Sequence, residues 1–196
     1  MHQPPMNRLR LLALASLLAA SIGVQAAVIE GQQFDDRIRL ADTELVLNGV
    51  GLRAVAWFKG YAAGLYLGRK AGTAEAALAA PGPKRVRMKM MVEVESKEFA
   101  KAFGKGMKRN LGVAERDALA DRIERFDRTV LALGVLKKGD VVDLDWLPAR
   151  GLVLSVNGLA RGEPFAGEAF YAAILKIFIG PDPVDDKLKA GLLGQA

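Results

Sequence analysis

Residues 47–67, LNGVGLRAVAWFKGYAAGLYL, read as two apolar β-strands in tandem, joined by a tight connection near Phe58-Lys59-Gly60. Two such strands commit the chain to a sheet. They also set a problem, because Arg53 sits among Val50, Leu52, Val55 and Trp57 in the first of them. A guanidinium keeps its proton and is costly to bury unless an anion meets it. Arg53 therefore points to water, pairs with a structural carboxylate, or presents a cation to an anionic ligand. Tyr61 opens the second strand and is the nearest hydroxyl in sequence.

Residues 1–26 read as a secretory signal peptide. Arg8 and Arg10 make its positive start, Leu11 to about Ile22 its apolar run, and Val24-Gln25-Ala26 a small-residue cleavage site. The run is shorter than the roughly 20 residues that span a bilayer. Later apolar stretches are all interrupted by polar residues, so no transmembrane segment is expected after cleavage. The mature protein, residues 27–196, is expected to be soluble and periplasmic. With no cysteine in the chain, a lipid-modified cysteine is excluded.

Composition removes several chemistries. There is no cysteine, and the one histidine is His2, inside the leader. That excludes disulfides, cysteine or Ser-His-Asp nucleophile systems and the common zinc sites. Asp182, Asp185 and Asp186 lack the spacing of a calcium loop and read as a turn and helix cap. No cofactor and no metal is expected. Loss of the leader removes two positive charges and no negative one, taking the formal charge from +6 to +4. This is short of a nucleic-acid signature, and no nucleic-acid partner is expected. About 170 remaining residues make one domain with a substantial core.

Along the chain, strands are expected at Val28–Glu30, Ile38–Leu40 and Glu44–Asn48 before the tandem pair. Lys84–Val94 alternates, with Arg85, Arg87 and Lys89 on a face read as solvated and Val86, Met88 and Met90 on a buried one. Contact of that basic row with an anionic membrane surface is the alternative. Ser96 is read as the cap of a helix to about Asn110, with Phe99, Phe103 and Met107 spaced by four. Gly104 and Gly106 lie inside it, with close packing the expected reason and room for a ligand the alternative. A second helix, about Ala114–Leu133, carries Leu119, Ile123, Phe126, Val130 and Leu133 as a core stripe.

In Asp140–Leu147, Val142, Leu144 and Trp146 share one face and Asp143 and Asp145 the other. Gly151–Asn157 pairs with it, and Asn157-Gly158 signals a hairpin turn. A helix from about Gly167 to Phe178 buries Phe170, Ile174, Ile177 and Phe178. A closing helix follows to about Leu192, capped by Asp182 with Pro183 at its first position. Strands, helices, hairpins and helices in that order give an α+β domain whose mainly antiparallel sheet is covered on one face by helices.

An ordered set of motifs carries a family resemblance. It comprises Leu-Asn-Gly-Val-Gly-Leu-Arg at 47–53, Tyr-Ala-Ala-Gly-Leu-Tyr-Leu at 61–67, and Ala80-Pro81-Gly82-Pro83-Lys84-Arg85. It continues through Lys138-Gly139-Asp140-Val141, Val156-Asn157-Gly158, Phe170-Tyr171, Ile179-Gly180 and Gly191-Leu192-Leu193-Gly194. Together these resemble a bacterial chalcone isomerase-like domain over nearly all of the mature chain. The resemblance implies the same layout as an open-faced β-sandwich, with a ligand cleft between sheet and helices.

In chalcone isomerases an arginine in a Gly-x-Gly-x-Arg strand stabilises the substrate oxyanion, and Arg53 matches it. Tyr61 stands where those enzymes place a threonine. Phe99, Gly106 and Ile177 fall where the enzymes carry a tyrosine, an asparagine and a hydroxyl residue. The arginine is kept and most of the hydrogen-bonding set is lost.

Ring closure needs a held phenolate as well as enolate donors. An arginine and a tyrosine hydroxyl at one end of an apolar cleft instead suit a carboxylate, as in fatty-acid-binding members of this fold. The favoured expectation is a non-catalytic binder of a fatty acid or similar amphipathic anion, with Arg53, Tyr61, Phe99, Phe103, Met88 and Met90 at the ligand. Two alternatives stay open. One is an intramolecular lyase or isomerase of a chalcone-like conjugated ketone, with Arg53 and Tyr61 catalytic. The other is a structural or interaction protein of the envelope, in which Arg53 is satisfied by a carboxylate such as Asp143 or Asp145.

Overall fold

A computed structural model describes residues 26–55 and 58–195. Strand β1 (Ala26–Ile29) turns into β2 (Gln32–Asp35), and the two form a separate hairpin. β3 (Arg37–Leu40) leads to β4 (Thr43–Val55) and β5 (Phe58–Leu67). A short helix α1 (Ala74–Leu78) precedes β6 (Lys84–Met90) and β7 (Val94–Glu95). The helical segment is α2 (Ser96–Asn110), α3 (Val113–Ala118) and α4 (Ala120–Leu131). Then come β8 (Val135–Leu136), β9 (Val141–Leu147), β10 (Gly151–Val156), β11 (Leu159–Ala160), α5 (Glu168–Ile179) and α6 (Asp186–Leu192). Among the described residues no helix is long and apolar enough to cross a membrane. The leader read at residues 1–26 lies outside the described residues except for Ala26, which opens β1.

Seven strands make one sheet in the order β11-β10-β9-β6-β5-β4-β3, with every neighbouring pair antiparallel. This is the expected α+β open-faced sandwich. Alternation assigns the two faces. Ala63, Leu65, Val86, Met88, Met90, Val142, Leu144 and Trp146 pack under α2, α5 and α6 in the main core. Asn157 and Gly158 both have positive φ, 52° and 77°, which gives the two-residue hairpin turn between β10 and β11.

The opposite face is not bare. Phe34 of β2 lies against Gly64, where a Cβ would come within 2.7 Å of the Phe34 ring, and a small cluster with Leu45, Leu47 and Tyr66 forms beneath the hairpin. The basic row also differs from expectation. Arg85 grips Asp145 through two bonds of 2.6 and 2.5 Å, and Arg87 grips Asp143 through two of 2.8 Å. The β6–β9 register places Arg85 opposite Asp145 and Arg87 opposite Asp143, so this face is a ladder of buried ion pairs and not a solvated row. Lys89 is tied to the carbonyl oxygen of Gln33.

Local boundaries move for identifiable reasons. The tandem strands run to Val55 and from Phe58, so Lys59 and Gly60 lie in β5 and not in the connection. Gly60 is the extra residue of a β-bulge, since Arg53 faces Tyr61 while Ala54 faces Lys59. Tyr61 is therefore the fourth residue of β5 and not its first. The strand expected at Lys84–Val94 ends at Met90. Ser96 is the first residue of α2 and not its cap; its hydroxyl donates to the carbonyl of Leu131 instead. The single helix expected over 114–133 breaks at Leu119, which ends α3 and starts α4. α6 is capped by Asp185 and not Asp182.

Candidate functional site in the cleft between sheet and helices

β4 carries small residues where α6 crosses it. A Cβ on Gly51 would stand 2.6 Å from the carbonyl oxygen of Leu188, and one on Gly49 would overlap that of Gly191. Gly49 and Gly51 thus let a helix lie on the strand at backbone contact. Asn48, bulged out of the β4 ladder and buried, fixes the far end of the same helix. Its amide donates to the carbonyls of Ala71 (3.0 Å) and Leu192 (2.7 Å) and accepts from the N–H of Ala71 (2.6 Å).

Two residues beyond Gly51, Arg53 emerges at the other end of α6. Its Nη1 donates to the carbonyl of Ala54 at 2.7 Å and to Oδ2 of Asp185 at 3.2 Å. Asp185 accepts from the N–H of Leu188 with its other oxygen at 2.9 Å and so caps the helix. Arg53 therefore does have an internal carboxylate, and it is Asp185. Asp143 and Asp145 are engaged by Arg87 and Arg85. The Nε and Nη2 groups of Arg53 have no hydrogen-bond partner among the described residues.

The register that pairs Arg53 with Tyr61 sets both on the helix-facing side. They border a cavity of about 70 Å³ with Phe99, Phe103, Ile177 and Phe178. Burial pushes the Tyr61 phenol well above its ordinary value, the Arg53 guanidinium opposes this, and the nearby Asp185 carboxylate adds to it. Tyr61 is thus a neutral O–H donor at any ordinary pH. The walls are aromatic: the Phe103 ring lies 5.1 Å from that of Phe99 and 6.1 Å from that of Phe178.

Four of the six expected ligand residues, Arg53, Tyr61, Phe99 and Phe103, come together here. Met88 and Met90 do not line the cavity and lie in the core beneath, with Met90 the strand partner of Tyr61. Asp185 was missed as an Arg53 partner. Its signal was the run Asp182-Pro183-Val184-Asp185-Asp186, which offers several caps. Gly106, at the position of the lost asparagine, lies on Ile177, and a Cβ there would come within 2.6 Å of Cγ2 of that side chain.

A guanidinium and a neutral phenol at one end of an apolar space can hold a carboxylate or polarise a carbonyl. Among the described residues, none lining the cavity is a carboxylate, histidine or other general base. A larger open trough of about 740 Å³ lies outside β4, and its charged lining is Asp185 and Asp186 with a single lysine, Lys187, which does not favour an anion there.

The chalcone isomerase-like family model matches residues 26–194. This chain belongs to the chalcone isomerase-like family. Its fold is also that of the Arabidopsis thaliana fatty-acid binding protein AtFAP1, at a TM-score of 0.67 and 17% identity, covering 86% of this chain and 96% of that one. At that identity the likeness speaks for the shared fold alone. No curated protein sequence matches the chain.

Proposed function

We propose that this chalcone isomerase-like protein is an exported, periplasmic and non-catalytic binder of a fatty acid or similar amphipathic carboxylate. The observation that carries the reading is the convergence of Arg53 and Tyr61 on an apolar, phenylalanine-walled cavity, with the Nε and Nη2 donors of Arg53 uncommitted among the described residues. The fold likeness to a protein described as fatty-acid binding supports it. The carboxylate takes the open side of the guanidinium and the Tyr61 hydroxyl, and the alkyl chain lies along Phe99 and Phe103. A cavity of about 70 Å³ is well below the roughly 300–1,000 Å³ of ordinary ligand sites. Binding therefore requires the phenylalanine walls of α2 and α5 to part.

The test is native mass spectrometry of protein purified from periplasm, beside Arg53→Ala. A co-purified acid of defined mass, lost in the variant, is the expected result. Protein without ligand in both samples, together with failure to take up added fatty acid, would overturn the reading.

A second reading is favoured by one observation, the Arg53–Asp185 pair. In it the protein is a structural component of the envelope and Arg53 serves only to hold α6. It predicts that no acid binds and that Arg53→Ala and Asp185→Ala destabilise the fold alike.

A further inference from the structure

A groove of about 470 Å³ separates the C-terminal half of α4 from the segment that follows β11. Arg125, Arg128, Thr129, Leu133, Arg161 and Gly162 line it, and no carboxylate does among the described residues. It shares no residue with the Arg53 cavity. Arg125 is set in place before any ligand arrives: its guanidinium carbon lies 4.4 Å from the centroid of the Phe165 ring, and Nη2 donates to the carbonyl of Pro164 at 3.1 Å. Arg128 holds Glu124 one turn back on α4. Arg161 is fixed through its backbone, whose N–H donates to Leu154 at 2.8 Å, and its side chain makes no ion pair among the described residues. Gly162 brings the loop against α4, where a Cβ would stand 3.1 Å from Cγ2 of Thr129.

Like charges brought together on a helix and its facing loop repel one another, and an anion between them relieves that repulsion. Guanidinium forks match the oxygens of a phosphate group, while the Thr129 hydroxyl already donates to the carbonyl of Arg125 at 2.9 Å. Leu131 and Leu159, next in sequence to residues lining the groove, are 44% and 64% exposed. We propose that this groove is a second anion site, which recognises a phosphate group carried either by a lipid headgroup or by a small soluble molecule.

Two probes separate the sources. One is inorganic phosphate, followed by the amide NMR signals of Thr129 and Gly162 against chloride at equal ionic strength. The other is co-sedimentation with vesicles of equal parts phosphatidylglycerol and phosphatidylcholine, against pure phosphatidylcholine. The variants are Arg125→Gln and Arg161→Gln, with Lys105→Gln on α2 removing the same charge elsewhere. Arg161 is exposed and its side chain makes no hydrogen bond or ion pair among the described residues, so its replacement leaves the fold intact even if that of Arg125 does not.

Phosphate shifts confined to the groove and lost in Arg161→Gln support a soluble ligand. Sedimentation with the anionic vesicles alone, weakened about fivefold by Arg161→Gln and unchanged by Lys105→Gln, supports the headgroup. No response to either probe, or equal weakening by Lys105→Gln, would overturn the proposal.

Discussion

Arg53 and Asp185, 132 positions apart in the chain, meet at 3.2 Å across the start of α6, and the same carboxylate caps that helix. The one cation that lines the cavity among the described residues is thus joined to the packing of the C-terminal helix. Both side chains are mostly buried, at 24% and 16% exposure, so the pair is not a surface ornament.

Asp185→Ala removes the cap and the ion pair together and is expected to cost about 1–2 kcal/mol. Asp185→Asn keeps a good capping side chain and loses only the charge, and is expected to cost a fraction of that. Urea unfolding of the two variants measures the difference.

Two glycines in α2 predict opposite signs. Nothing lies within 4 Å of a Cβ built on Gly104, so Gly104→Ala should stabilise by about 0.5–1 kcal/mol through helix propensity. Gly106→Ala drives a methyl into Ile177 and should destabilise by about 1–3 kcal/mol. Thermal melts of both variants check the contrast.

The ladder on the other face of the sheet predicts an order. Asp143 lies 3.6 Å from Arg85 in addition to its bonds with Arg87, whereas Asp145 is held by Arg85 alone among the described ion pairs. Arg85→Met leaves Asp145 buried without a cation and approaches the cost of about 3 kcal/mol of a broken buried pair. Arg87→Met should cost less. Unfolding free energies at neutral pH give the order.

Asp140 supplies a pH dependence. The amide of Asn157 donates to it at 2.9 Å and the N–H of Lys137 at 2.7 Å, and these bonds hold its carboxyl below its ordinary value of 3.8. A carboxyl lowered in the folded state binds its proton more readily when unfolded. Its contribution is present above pH 3.8 and is lost as pH falls through the lowered value. Asp140→Asn should therefore flatten the acid limb of the stability profile below about pH 4. Chemical unfolding across that range, compared with wild type, measures it.

Much of this architecture was legible because it is periodic and local. The alternation of Val142, Leu144 and Trp146 against Asp143 and Asp145 marks β9, and Asn157-Gly158 marks the β10–β11 hairpin. Arg53, Tyr61 and Phe99 were singled out by the family resemblance and Phe103 by its four-residue spacing from Phe99, and the register that sets Arg53 opposite Tyr61 around the Gly60 bulge is a finding of the structure.

Other features rest on pairings that a single sequence does not encode. Arg85 and Asp145 are 60 residues apart, and only the β6–β9 register makes them partners. The break at Leu119 keeps the phase of the apolar stripe and so leaves no mark in it. The α6 cap passed to Asp185 because the N–H of Val184 is taken by the carbonyl of Ile177, which prolongs the α5 turn and delays the helix. Met88 and Met90 are on the expected face, but they lie in the core and outside the cavity lining.

The most direct test of carboxylate capture is a calorimetric titration of dodecanoate into wild type, Arg53→Ala and Asp185→Asn. The account predicts that wild type binds and that Arg53→Ala binds at least about tenfold more weakly, the loss of a charge-assisted contact. Asp185→Asn should bind as tightly or more tightly, since a competing carboxylate is gone and the helix cap is kept. Absence of binding to wild type, or equal affinity with and without the Arg53 guanidinium, would contradict it.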